Sequence, residues 1–304
     1  MDAILLIDKP RGLTSHDVVG RVRRILGMRR VGHTGTLDPM ATGVLPVATG
    51  QGTRLVQFIM EGEKTYRATL RLGETTDTQD AEGTVVEQRS TAGVGEEDVK
   101  RICRRFIGDI EQIPPMYSAL KKDGVPLHRL ARQGVVVERA PRRMRIDRLE
   151  VLEMDLPFVT IEVDCSKGTY IRTLCHDIGE ELGCGAHLTA LRRLRTGSFA
   201  EQECVAIDEL AECPDPEQCP GVLSLHQALR DYPAVEVQDE AAQRLLNGIS
   251  PKIDQVIGAE GLARGAIVSL LRTDRLLAVA RFSPRSGREK GGDFKLLRVF
   301  NAFS

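Results

Sequence analysis

Apolar residues Ala3–Ile7 run without interruption and are closed by Lys9-Pro10-Arg11-Gly12, a pattern that predicts a buried strand ended by a turn. From Ser15 onward, Val18, Val19, Val22, Ile25 and Leu26 recur at helical spacing, predicting a helix capped by Ser15 with Arg21 and Arg24 off its buried stripe. A long Gly-rich loop, Gly32 to Gly52, separates this helix from strands predicted at 65–72 and 84–88. A helix over 96–107 buries Val99, Ile102, Cys103 and Phe106 and stops at Gly108. Strands at 144–153 and 158–165 lead through Ser166-Lys167-Gly168 into a helix carrying Ile171, Leu174, Ile178 and Leu182, with Gly183 just past its end. Between them, residues 112–143 mix prolines and basic residues without periodicity and read as an insertion standing off the core. After Tyr232 come a short helix (239–247) and strand-rich sequence to the end, read as a separate β-rich module over 232–304.

At about 150 residues per domain, 304 residues suggest two domains, and 41% hydrophobic with 28% charged residues suits a chain that buries a core. No apolar run approaches the roughly 18 residues of a membrane span, and Met1–Gly12 lacks the basic start of a signal peptide, so no membrane partner is expected. The seven cysteines show no C-x-x-C spacing; Cys184/His187 and the pair Cys213/Cys219 complete no four-ligand set. The expectation is reduced thiols in a cytoplasmic protein.

The net charge of −1 hides an asymmetry, because residues 201–240 hold eleven acidic residues against one basic residue. The rest of the chain is net positive, with clusters at Arg21/Arg23/Arg24/Arg29/Arg30, Lys100/Arg101/Arg104/Arg105, Arg139/Arg142/Arg143/Arg145/Arg148 and Arg192/Arg193/Arg195. Such patterning is the electrostatic footprint of a phosphate-backbone binder, although any one cluster is equally a solvated face. The acidic, Pro-rich stretch within 201–230 reads as a linker.

No P-loop, dinucleotide fingerprint or H-E-x-x-H occurs, and the acids of Asp77–Gly83 fall at the wrong positions for a calcium loop, so neither nucleotide cofactor nor metal is expected. What remains is Gly32-His33-Thr34-Gly35-Thr36-Leu37-Asp38-Pro39. It combines glycines that permit close backbone approach, hydroxyls, a histidine and an aspartate restricted by the following proline. Taken alone it is either a turn in which Asp38 binds backbone N–H groups or a reactive site. Arg172, one turn inside the helix opened by Gly168-Thr169-Tyr170-Ile171, could reach a carboxylate and help keep it ionised, as an aspartate nucleophile requires.

The segment Gly32–Gly50 resembles the catalytic motif of the TruB-type tRNA pseudouridine-55 synthase family. The resemblance continues in order through Lys9-Pro10-x-Gly12, Lys64-Thr65-Tyr66-Arg67, Arg71-Leu72-Gly73, Thr76-Asp77-Thr78, Pro114-Pro115-x-Tyr117-Ser118-Ala119, Gly168–Arg172 and Leu191-Arg192-Arg193. It implies an α+β fold: a catalytic domain over 1–230 with a mixed, largely antiparallel central sheet flanked by helices, and a C-terminal PUA-like domain over 232–304. It implies Asp38 as the aspartate attacking the target uridine, Arg172 as its partner, and Tyr66 stacking on the flipped base and serving as the later proton acceptor. It implies further that His33 fills the space the base leaves, that Lys9, Tyr170 and Leu191 support or line the pocket, and that 112–143 is a mobile element folding over RNA. His128 stands where the family commonly has a tyrosine, and the Cys-rich linker has no counterpart in the resemblance.

The implied reaction moves uracil from an N1 to a C5 glycosidic bond with nothing added or lost, which suits a chain without cofactor motifs. The implied partner is the T loop of tRNA, with the PUA-like domain on the acceptor stem and the protein acting as a monomer. Flipping a base out of folded RNA sacrifices stacking that an aromatic face replaces, on the order of 1–3 kcal/mol per base. Two rivals remain: an RNA-binding chaperone that opens tRNA without chemistry, and a small-molecule phosphotransferase using the Gly-rich loop.

Overall fold

The strands assemble into an 11-stranded mixed sheet whose main path runs Val205–Ala206, Ala3–Lys9, Thr42–Thr49, Ala186–Thr196, Lys64–Leu72, Phe158–Cys165, Arg142–Asp155 and Gly108–Gln112. Most neighbours are antiparallel. The parallel ones are Ala3–Lys9 with Val205–Ala206 and Thr42–Thr49 with Ala186–Thr196. The computed structural model describes residues 1–118, 120–284 and 291–300, excluding the side chains of 128 and 132. Ala119 and the His128 side chain, both singled out in the sequence, therefore lie outside the described residues.

Strand alternation divides the core in two. Leu5, Ile7, Leu45 and Val47 point to one face, under helices Ser15–Leu26, Glu96–Arg105 and Ile171–Glu181. Ile4, Leu6, Val44 and Ala48 point to the other, against Leu55, Phe58 and Ile59. That second face also receives Leu271, Leu276 and Val279 from a five-stranded sheet over 234–299, and Phe300 just after its last strand, with helix Asp239–Leu246 on the sheet's own core. Arg54 Nη1 donates to Val299 O at 2.6 Å, and Tyr232 Oη to Phe58 O at 2.9 Å, across the same contact.

Two expectations need correction. The Gly-rich loop contains the eight-residue strand Thr42–Thr49 in the middle of the sheet, despite Gly43 and Pro46. Leu6 N donates to Gly221 O, so the Leu6–Pro46 pair exchanges no ladder bonds. Pro46 also falls between two short partners, Arg192/Arg193 on Thr42/Gly43 and Val31–His33 on Val47–Thr49, where its missing N–H costs nothing. The acidic stretch 201–230 is no loose linker. It supplies Val205–Ala206 and Val222–Leu223 to either end of Ala3–Lys9, and buries Val205, Ile207, Leu210 and Cys219. Its acids are surface positions on an ordered element.

Candidate active site

The loop Thr34–Ala41 crosses the end of the sheet, and three elements hold it. Lys9, fully buried at the end of its strand, donates through Nζ to Ala41 O at 2.6 Å, Pro10 O at 3.0 Å and Pro39 O at 3.2 Å. Burial lowers its pKa to about 8, with Asp38 opposing. The helix that follows is capped by Thr14, not Ser15: Thr14 and Asp17 form a reciprocal capping box. That frees Ser15 Oγ to accept from Leu37 N at 2.9 Å and to donate to Leu37 O at 3.2 Å, pinning the residue before Asp38.

Arg172, at the second position of helix Ile171–Glu181, meets this loop from the other side. Its Nε lies 3.0 Å from Asp38 Oδ2 and its Nη2 3.4 Å from Oδ1, the contact anticipated from the sequence. Its Nη1 lies 3.1 Å from Asp80 Oδ2 and donates to Thr78 O, and its Nη2 also donates to Tyr117 O at 2.8 Å. Arg172 and Asp80 are buried, whereas the Asp38 side chain keeps a third of its surface open to solvent. Burial of the carboxylate pushes Asp38 above the usual aspartate range; Arg172 pulls it down and the Asp80 charge pushes it up again. Pairing thus moderates the desolvation without cancelling it. Asp80 is the residue the sequence does not disclose, because its other oxygen accepts from Thr78 Oγ1 and Glu82 N in the expected Asx-type turn.

Tyr66 lies on Lys64–Leu72, buried on the helix-covered face, and burial raises its phenol pKa. Leu191, opposite Ala68 in the neighbouring strand, packs in the same cluster. Tyr170 stands two residues before Arg172; its backbone N–H donates to Gln112 Oε1 and its carbonyl accepts from Gln112 Nε2, tying the base of the 112–143 excursion to helix Ile171–Glu181. Burial raises the Tyr170 pKa too. The His33 ring meets His16 edge-on, with centroids 5.1 Å apart, and Nδ1 accepts from Gly35 N. Burial and the neighbouring His16 lower the His33 pKa and favour a neutral imidazole. Lys9, His33, Asp38, Tyr66, Tyr170, Arg172 and Leu191 thus gather around one end of the sheet. The arrangement presents an arginine-held carboxylate, partly open to solvent, on the same face of the sheet as the Tyr66 side chain.

The model of the TruB family pseudouridylate synthase N-terminal domain matches residues 23–171, and that of the tRNA pseudouridylate synthase B C-terminal domain matches 172–230. A tRNA pseudouridine synthase B of Syntrophotalea carbinolica is 52% identical over 99% of this chain and 98% of its own. One of Geobacter sulfurreducens is 46% identical over 99% of this chain and 100% of its own. The chain belongs to the TruB family of pseudouridine synthases. Its fold also matches a chain of an H/ACA ribonucleoprotein solved with a substrate RNA containing 2′-deoxyuridine, at 27% identity and a TM-score of 0.75, covering 98% of this chain and 85% of that one. A Cbf5–Nop10–Gar1 complex gives 29% identity and the same TM-score over 98% and 84%.

As an RNA pseudouridine synthase of the TruB family, the chain is an isomerase, and its basic clusters gain a ligand to face. The structure sorts them. Lys100, Arg101 and Arg105 pair with Glu96, Asp98 and Glu181; Arg145 and Arg148 pair with Asp147, Glu162 and Asp164; Arg192 pairs with Asp8 and Glu201. These groups are matched by carboxylates on the protein itself. Arg23, Arg24, Arg29 and Arg30, exposed at the end of helix Ser15–Leu26, make no ion pair among the described residues. The TruB family 112–143 segment leaves the sheet edge between Gly108–Gln112 and Arg142–Asp155, carrying a small hairpin and helix Leu127–Arg132.

Proposed function

We propose that this enzyme converts uridine to pseudouridine in the T loop of tRNA, at position 55, with Asp38 as the attacking carboxylate. The single observation that carries the reading is Asp38 Oδ2 held 3.0 Å from Arg172 Nε in a partly open site. An aspartate must be ionised to attack C6 of the base, to attack C1′, or to assist elimination to a glycal, and Arg172 favours that form in surroundings that otherwise oppose it. Tyr66 takes the stacking position on the flipped uracil and receives the C5 proton; Leu191 and Tyr170 line the pocket, His33 enters the gap left in the T loop, and Lys9 keeps the Asp38 loop in place. The catalytic part is assigned to 1–230 and a PUA-like part to 232–304, which meets the acceptor stem; the enzyme acts as a monomer in the cytoplasm, where its tRNA substrate resides.

The test is tritium release from 5-tritiated uridine in tRNA, with pseudouridine mapped afterwards. Asp38→Asn abolishes release and leaves tRNA affinity near that of the wild type. Its Tm at pH 7 is unchanged or higher: a carboxyl whose pKa is raised by folding disfavours the folded state once ionised, and the amide removes that cost. Release persisting in Asp38→Asn would remove Asp38 from the mechanism. A wild type that binds tRNA yet releases no tritium would favour the chaperone reading.

A further inference from the structure

Arg193 faces Tyr66 across the antiparallel ladder of Ala186–Thr196 and Lys64–Leu72. Directly opposed side chains leave a sheet on the same face with Cβ atoms about 5 Å apart. The arginine is 2% exposed. Its Nε donates to Val44 O at 2.7 Å, and its Nη2 is buried with no hydrogen-bond partner. Arg192 and Arg195 on either side each face a carboxylate, but Arg193 enters no ion pair among the described residues. A Cβ at Gly43 would fall 2.2 Å from the Arg193 backbone oxygen, so the strand bearing Arg193 sits close against Thr42–Thr49.

An always-charged group buried without a counter-ion and with an unmade hydrogen bond is a cost to the fold. Arg192 shows that this strand can equip an arginine with two acids, Asp8 and Glu201. The ionisable group that faces Arg193 across the ladder is the Tyr66 phenol. We propose that Arg193 is the positioning residue for Tyr66: its guanidinium fixes the ring against the site and supplies the positive charge beside which the hydroxyl oxygen gives up and regains a proton. The proposal rests on the reading of Tyr66 as proton acceptor. In that step the C5–H bond breaks, its electron pair stays in the uracil ring, and the proton joins the Tyr66 phenolate oxygen; the phenol then returns the proton to water. Arg193 is also the first influence opposing the burial that otherwise holds Tyr66 protonated.

The experiment uses full-length protein labelled with 3-fluorotyrosine, whose four tyrosines give separate fluorine resonances, with Tyr66→Phe identifying the relevant one. In Arg193→Met, the Tyr66 resonance titrates higher than in the wild type by about one pH unit or more, with Arg193→Lys in between. Single-turnover pseudouridine formation falls about 100-fold in Arg193→Met at unchanged RNA affinity, recovers partly in Arg193→Lys, and climbs more steeply toward high pH. Its Tm does not fall, because a methionine of similar volume replaces an unpaired buried charge. A folded Arg193→Met protein with an unmoved Tyr66 titration overturns the proposal, as does a rate loss that tracks a loss of Tm. The titration needs no RNA, so an inactive wild type with the shift intact would count against the pseudouridylation reading and leave the Arg193–Tyr66 coupling standing.

Discussion

Asp38 carries opposing demands in one carboxyl group: it must be ionised to react, yet its surroundings raise its pKa, chiefly by burial. The acid side of the rate profile therefore falls at a pH above the ordinary aspartate value of about 4, because protonation of the free enzyme removes the reactive form. We expect kcat/KM for tRNA to decline with first-order steepness below that point. A profile still flat at pH 4, with the protein folded, would show that Asp38 lacks the raised pKa. At this scale Asp38, Arg172 and Tyr66 are legible in the sequence because each stands in a short motif of unusual composition. Asp80 is hidden because turn chemistry explains it fully, and Arg193 is hidden inside a basic run that looks like a solvated face. Arg193 could not be seen without knowing which strand lies opposite Tyr66, nor Asp80 without knowing that its turn meets Arg172.

Ser15 joins two elements, helix Ser15–Leu26 and the Asp38 loop, through its paired bonds to Leu37. Ser15→Ala leaves the Thr14–Asp17 cap intact and frees the loop, so we expect kcat to drop about 10-fold with little change in RNA affinity, measured by single-turnover and equilibrium binding assays. An unchanged kcat would mean that Lys9 and Arg172 position the loop without Ser15. The second junction is the parallel contact of Thr42–Thr49 with Ala186–Thr196, where Gly43 at φ +98° lies against the Arg193 backbone. Gly43→Ala adds both strain and collision, and should cost on the order of 3 kcal/mol in denaturant unfolding. The helices and long strands are legible from periodicity, since Val18–Leu26 and Phe158–Cys165 each follow a single period. Thr42–Thr49 is not, because its proline is acceptable only where partner strands change over, and Val205–Ala206 is too short to show a period.

Across the whole molecule, the positive surface is smaller than the sequence count implies, since many arginines are matched by acids. We expect Arg24→Gln with Arg29→Gln to weaken tRNA binding about 10-fold or more and to reduce the slope of log affinity against log salt by up to about two. Lys100→Gln, which breaks a pair with Glu96, should change the slope little. Equal effects from both changes would mean that ion pairing does not select the RNA-facing charges. The two sheets are legible as two regions of sequence, but the face they share is not, because Ile4, Leu6, Leu271 and Phe300 lie far apart in the chain and each reads only as apolar.

That shared face has one more consequence. Leu271, Leu276, Val279 and Phe300 are seated on the back of the large sheet and Arg54 is bonded to Val299, so the C-terminal sheet is tied to the sheet that carries the Asp38 loop. If it grips the acceptor stem as proposed, the span from stem to target nucleotide is set by the protein. An RNA whose arm is a few base pairs too long or too short then engages one end or the other, and the molecule works as a fixed gauge of its substrate's length.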